Sequence, residues 1–136
     1  DGGEPVRSDQ PRNRPPAFKG TGRLVEVPLS RLCYARSGDK GDMCNVGVLA
    51  RSSRIYAWML SRLTAARVKR FFGDKVLGQV TRHELDNLEG LNFLLEESLG
   101  GGGTTSLLVD PQGKTMSQAL LEMRVRVPKS LLRVVD

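Results

Sequence analysis

The sequence contains one histidine, His83, and two cysteines, Cys33 and Cys44. A lone imidazole cannot build a histidine metal site, and the two thiols form neither a CxxC pair nor any metal-ligand spacing. The expectation is no metal and no cofactor. Both thiols sit among apolar residues, as buried inert groups do, although a strand-to-strand pairing between them stays open. So few cysteines in a basic chain suggest a reducing compartment. Aromatic residues amount to 5%, which leaves little for bases to stack on and argues against nucleic acid as a partner. No apolar run approaches the ~18 to 20 residues that span a bilayer, so no transmembrane segment is expected. HExxH, GxSxG, GxGxxG and the P-loop pattern GxxxxGK(S/T) are all absent. No conventional catalytic set is present, and the reading leans away from an enzyme without closing that question.

What is present suffices for one core. Hydrophobic residues make up 39% and charged residues 26% of 136 residues, the profile of a single globular domain of ordinary size. The formal net charge is +6 and the pI about 9.8. Much of the excess is concentrated. Arg51, Arg54, Arg62, Arg67, Lys69 and Arg70 share one stretch with no acid between them. A clustered basic face attracts anionic surfaces. The same pattern describes a solvated helix face set against an acidic protein partner, and these six are candidate partner-binding residues.

The first residue is Asp1 rather than Met, so a processed protein or a fragment is expected. Residues 1–23 form a Pro-rich arm carrying Pro5, Pro11, Pro15 and Pro16. Proline lacks an amide donor and fixes φ, so this arm cannot join a helix or a central strand and becomes ordered only where something holds it. The domain proper is expected over 24–127, followed by a tail at 128–136. Leu24, Val25, Val27 and Leu29 read as an entering extended segment, 32–35 as a first strand and 44–50 as a second. Residues 54–72 read as helical, with Thr64 as the N-cap of a restart and Gly73 as the terminator. A third strand is expected over 76–85. Leu91, Leu94, Leu95 and Leu99 fall on one helical face. A fourth strand is expected over 104–109, a type I turn at 110–113, and a last helix around Met116, Ala119, Leu120 and Met123. The order is ββαβαβα, which makes an α+β domain: one antiparallel or mixed four-stranded sheet with helices on one face.

Three segments could carry chemistry. Ser37, Gly38, Asp39, Lys40, Gly41 and Asp42 read as a loop that cannot continue the first strand. Its glycines let backbone N–H groups approach an anion, Lys40 adds a positive charge and Ser37 a hydroxyl. Asp39 and Asp42 oppose this, and an elaborate structural turn fits the same residues. Gly100, Gly101, Gly102 and Gly103 permit close approach by a ligand, or simply a tight crossing into the next strand. Lys114, beside the 110–113 turn, is a misplaced cation for a first helical turn and hints at a partner.

Five blocks of this chain resemble, in order, those of the AtuA-like (acyclic terpene utilisation protein A) C-terminal domain family. They are LCYARSGDKGDMCNVGVLAR at 32–51, LTAARV at 63–68, LNF at 91–93, LGGGGT at 99–104 and DPQGK at 110–114. The resemblance implies a single ferredoxin-like α+β sandwich. It also implies that the family's motif positions fall on Ser37 to Asp42 one by one, and on Asn45, Asn92, Gly100 to Gly103, Asp110, Gly113 and Lys114. The pattern departs at Arg67, where an acid is expected, and at Leu108, where an arginine is. Only the segment 1–31 precedes the motif in this sequence, so the large N-terminal domain usual in the family is expected to be missing. These departures favour a non-catalytic accessory or structural subunit of a larger protein complex, with other protein subunits as partners and a mitochondrial setting, otherwise a cytoplasmic one. Two alternatives are a component of terpene or acyl-CoA breakdown using Asp39, Lys40 and Asp42, and a small-anion or CoA-binding module using Ser37, Lys40 and the glycine run.

Overall fold

Alternation of apolar and polar residues opens the domain with β1, Leu24–Pro28, in which Val27 is buried and Glu26 exposed. The structure, a computed structural model, describes residue 18 and residues 22–40, 43–98 and 115–132, with the backbone alone at 39 and 40. The chain continues through β2 (Cys33–Lys40), β3 (Met43–Ala50), α1 (Ser53–Arg62), α2 (Ala65–Phe72), β4 (Val80–Leu85), β5 (Gly90–Leu95), α3 (Met116–Leu121), β6 (Arg124–Pro128) and α4 (Lys129–Leu132). β2, β3, β5 and β4 form, in that order, an antiparallel four-stranded sheet, and β1 pairs with β6 in a separate antiparallel ribbon. Helices α1, α2 and α3 pack on one face of the large sheet, against β3, β4 and β2 respectively. The α+β class and the four-stranded sheet with helices on one face are as expected.

The helices start where side chains supply missing acceptors. Ser52 caps α1 by accepting from the Ile55 amide, and Thr64 caps α2 by accepting from the Arg67 amide. The helical segment breaks at Leu63, whose ψ of 79° leaves the helix, and restarts at Thr64 as the sequence indicates. Gly73 closes α2 at φ 57°, a left-handed value that a side chain would strain. Thr115 opens α3 with a full capping box to Gln118. The core lies between sheet and helices. Val46, Val48, Leu91, Phe93 and Leu95 from the sheet meet Ile55, Tyr56, Trp58 and Met59 from α1, all buried.

The structure corrects four expectations. First, residues 37–40 do continue the first strand. Ser37, Gly38, Asp39 and Lys40 pair with Val46, Asn45, Cys44 and Met43, leaving only Gly41 and Asp42 between the paired ends. Cross-strand pairing outweighs the turn preference of glycine and aspartate there. Second, Leu91, Leu94 and Leu95 belong to a strand, not a helix, while Leu99 lies outside the described residues. Leu91, Phe93 and Leu95 are buried while Asn92 and Leu94 are half-buried, a period of two. Third, the third strand begins at Val80, and Val76 makes an isolated bridge to Ser98. Fourth, β6 and α4 over 124–132 add a strand and a helix to the expected ββαβαβα order. The strand expected at 104–109 and the turn at 110–113 lie outside the described residues, as does most of the Pro-rich arm.

Cys33 and Cys44 are both buried thiols. Cys33 stands opposite Ala50, six residues along β3 from Cys44, which is about 20 Å of strand and far beyond disulfide reach. Burial, only partly offset by Arg51, pushes the Cys33 thiol up to about 12 from an ordinary 9.0. The folded state therefore holds this proton more tightly than the unfolded chain. That contribution to stability is intact below pH 9.0 and is lost as the pH rises towards about 12. Iodoacetamide at pH 7.5 is expected to label Cys33 only after denaturation; rapid labelling of Cys33 in the native protein would contradict this burial.

Candidate functional site

Strand alternation divides the candidate residues between the two faces of the sheet. Ser37 points to the helical face, where its hydroxyl donates to Ser117 Oγ at 3.2 Å, and Ser117 Oγ lies 3.1 Å from Thr115 Oγ1. This places Ser37 in a hydroxyl chain at the start of α3. Gly38, next in sequence, lies in the open face opposite Asn45. Asn45 Nδ2 donates to Asn92 Oδ1 at 3.1 Å across β3 and β5. A Cβ on Gly38 would stand 3.0 Å from Asn45 Oδ1, so glycine makes room for the Asn45 amide. The fold thus brings Gly38, Asn45 and Asn92 together and separates them from Ser37. Gly41, Asp42, Gly100, Gly101, Gly102, Gly103, Asp110, Gly113 and Lys114 lie outside the described residues, as do the side chains of Asp39 and Lys40.

The open face has a row that local motifs do not announce. Arg36, Gly47, Asn92 and His83 stand side by side across β2, β3, β5 and β4. Arg36 and His83 are exposed, and Gly47 leaves a gap between Arg36 and Asn92. At the next row Tyr34 is 56% exposed, and the Arg51 guanidinium lies 4.1 Å from its ring centroid. Arg51 also donates to the Ser30 carbonyl at 3.2 Å. Tyr34 and Arg36 were legible only through the continued alternation of β2, which the reading of 37–42 as a loop cuts short.

The six clustered cations separate in space as well. Arg51 belongs to the Tyr34 corner. Lys69 Nζ donates to the Val76 carbonyl at 3.0 Å and to the Gly78 carbonyl, fastening α2 to the segment before β4. An open groove of about 880 Å³ lies beside it, lined by Ala65, Ala66, Lys69, Leu77, Gln79 and Glu97 among others. Arg54 is exposed in the first turn of α1. Arg62, Arg67 and Arg70 do converge. Arg67 Nη1 donates to the Arg62 carbonyl at 3.4 Å, and the Arg67 guanidinium is held below its ordinary range by burial first and then by Arg70 and Arg62. No carboxylate pairs with these three among the described residues. Like charges held together without a counter-charge weaken the isolated fold and suit an anionic surface.

The AtuA ferredoxin-like domain model matches residues 27–126. The chain belongs to this family. No curated protein and no solved structure matches it. Of the family positions carried by the resemblance, the AtuA-like domain here places Gly38, Asn45 and Asn92 on its open sheet face and Ser37 against α3. Arg67, where the resemblance leads one to expect an acid, stands instead at the centre of a cationic corner. Among the described residues, no group of three or more His, Cys, Asp or Glu residues could hold a metal, and no helix is long and apolar enough to cross a membrane.

Proposed function

We propose that this AtuA-like domain is a non-catalytic accessory subunit that joins a larger protein assembly through its cationic helical corner. The observation that supports the reading is the convergence of Arg62, Arg67 and Arg70 with no carboxylate paired to them among the described residues. The partner surface is acidic. Lys69 is excluded from the contact, because its ammonium is committed to two backbone carbonyls. The net charge of +6 is what supports a mitochondrial setting for the assembly.

The test is the mass and composition of the native particle, followed by charge reversal. Arg62→Glu with Arg70→Glu is expected to weaken association by about a hundredfold, or about 3 kcal/mol, since opposed like charges at an interface cost several kcal/mol. Raising salt should weaken the wild-type complex in the same direction. A 15 kDa monomer as the native species, or an association indifferent to both salt and substitution, would defeat the proposal.

A further inference from the structure

We infer that the open face of the four-stranded sheet is a second interaction surface, one that receives an acidic, extended protein segment. It lies on the side of the sheet opposite the helices and therefore opposite the Arg62 corner. The inference does not depend on the reading of that corner.

The charge of this face favours an acidic occupant. The outward positions of β2, β3, β5 and β4 whose side chains are described include Arg36 and His83, with Arg51 leaning in over Tyr34, and no carboxylate. Two of the nearby acids are engaged elsewhere. Glu84 points to the helical face and pairs with Arg82 at 2.8 Å, and Glu89 accepts from the Ser53 hydroxyl. A sheet face whose described charged side chains are arginines, Arg36 and the adjoining Arg51, is complementary to an acidic partner.

Its shape and hydrogen-bonding groups favour an extended peptide. Gly38, Gly47 and Gly90 occupy successive rows of adjacent strands, a diagonal without side chains of its own. Asn45 leans over Gly38, and Leu49 lies against Gly90, where a Cβ would meet Leu49 Cδ2 at 2.5 Å. The centre over Gly47 stays open. A Cβ there would meet nothing nearer than Asn92 Oδ1 at 3.8 Å. Around that depression stand a guanidinium, Arg36, and the asparagine pair. Asn92 Oδ1 is used by Asn45, which leaves Asn92 Nδ2 as a donor and Asn45 Oδ1 as an acceptor. One donor and one acceptor side by side match the carbonyl and amide of an extended peptide. Leu49 and Tyr34, 37% and 56% exposed, offer apolar contact in the next row. Nucleic acid fits this face less well, because its one exposed aromatic ring, Tyr34, already lies under a guanidinium and offers bases no free stacking surface.

The test titrates the full 136-residue chain with an acetylated decapeptide of alternating glutamate and leucine, read by amide shifts in nuclear magnetic resonance. The expected result is saturable binding with shifts concentrated at Gly38, Asn45, Gly47 and Asn92, and none with the lysine–leucine peptide. Arg36→Glu should weaken binding by about tenfold, one charge-assisted contact. Gly47→Val should abolish it while leaving the melting temperature within a few degrees, because the site has ordinary van der Waals room and a strand favours valine. Arg62→Glu with Arg70→Glu should change nothing, which separates this surface from the proposed assembly contact. Absence of binding, shifts that map to α2 instead, or full binding by the Gly47→Val protein would overturn the inference.

Discussion

Phe93→Ala should lower the free energy of unfolding by about 3–5 kcal/mol, while Leu94→Ala next to it should cost only about 1 kcal/mol. Phe93 is wholly buried in β5, between Val46 of β3 and Arg82 of β4 in register, and faces the helical layer. Removing its ring leaves a cavity that two flanking strands hold open. Leu94 is half-buried on the other face, between Asn45 and Thr81. The contrast also discriminates between two readings of one segment. On a helix, Leu91, Leu94 and Leu95 would share the buried stripe and Phe93 would fall off it, so the order of the two costs would reverse. Urea titration followed through Trp58, the only tryptophan and itself buried, measures both variants.

Arg82→Met should cost about 2–3 kcal/mol. The last carbonyls of a helix have no partner within it. Arg82 supplies one from the neighbouring strand. Its guanidinium donates to the carbonyls of Met59, Leu60 and Leu63 at 3.4, 3.1 and 3.0 Å, and pairs with Glu84 at 2.8 Å. The side chain is 18% exposed, so these bonds are sheltered from water. It also places a positive charge at the negative end of α1. Arg82→Lys should recover less than half of the loss. An ammonium is a compact point charge and cannot span three carbonyls and a carboxylate at once. Full rescue by lysine would show that charge alone, rather than the fork geometry, secures the end of α1.

The parts of the fold that depend on local chemistry were legible in the sequence. Thr64 marked the helix restart because its hydroxyl finds an amide three residues on, whatever the rest of the chain does. Gly73 marked the stop for a similar reason. The parts decided by pairing were not legible. Residues 37–40 have the composition of a turn, yet they are a strand because 43–46 lie opposite. Leu91, Leu94 and Leu95 fit a helix by spacing, and only the neighbouring strands make them a strand. Arg82 is invisible to motif reading, since its role depends on where α1 happens to end. The basic cluster shows the opposite failure. Six cations close in sequence separate into a stacked arginine, a structural lysine, an exposed Arg54 and one true corner. The family resemblance supplied the fold class, which the family match over residues 27–126 supports, but not the strand at 90–95 or the last strand.

The β1–β6 ribbon has a kinetic meaning. Leu24 pairs with Pro128, and the Lys129 amide donates to the Arg23 carbonyl at 2.7 Å, so the strands that meet there enclose most of the chain. Bringing together segments about 100 residues apart in a flexible chain costs about 4 kcal/mol of loop-closure entropy before any contact repays it. The ribbon is therefore expected to zip after the four-stranded sheet and its helices have drawn the ends close, rather than to nucleate folding. Val27, Val125 and Val127 tie the ribbon to the core, so in unfolding the clasp is expected to open together with the body and to release both ends of the domain at once.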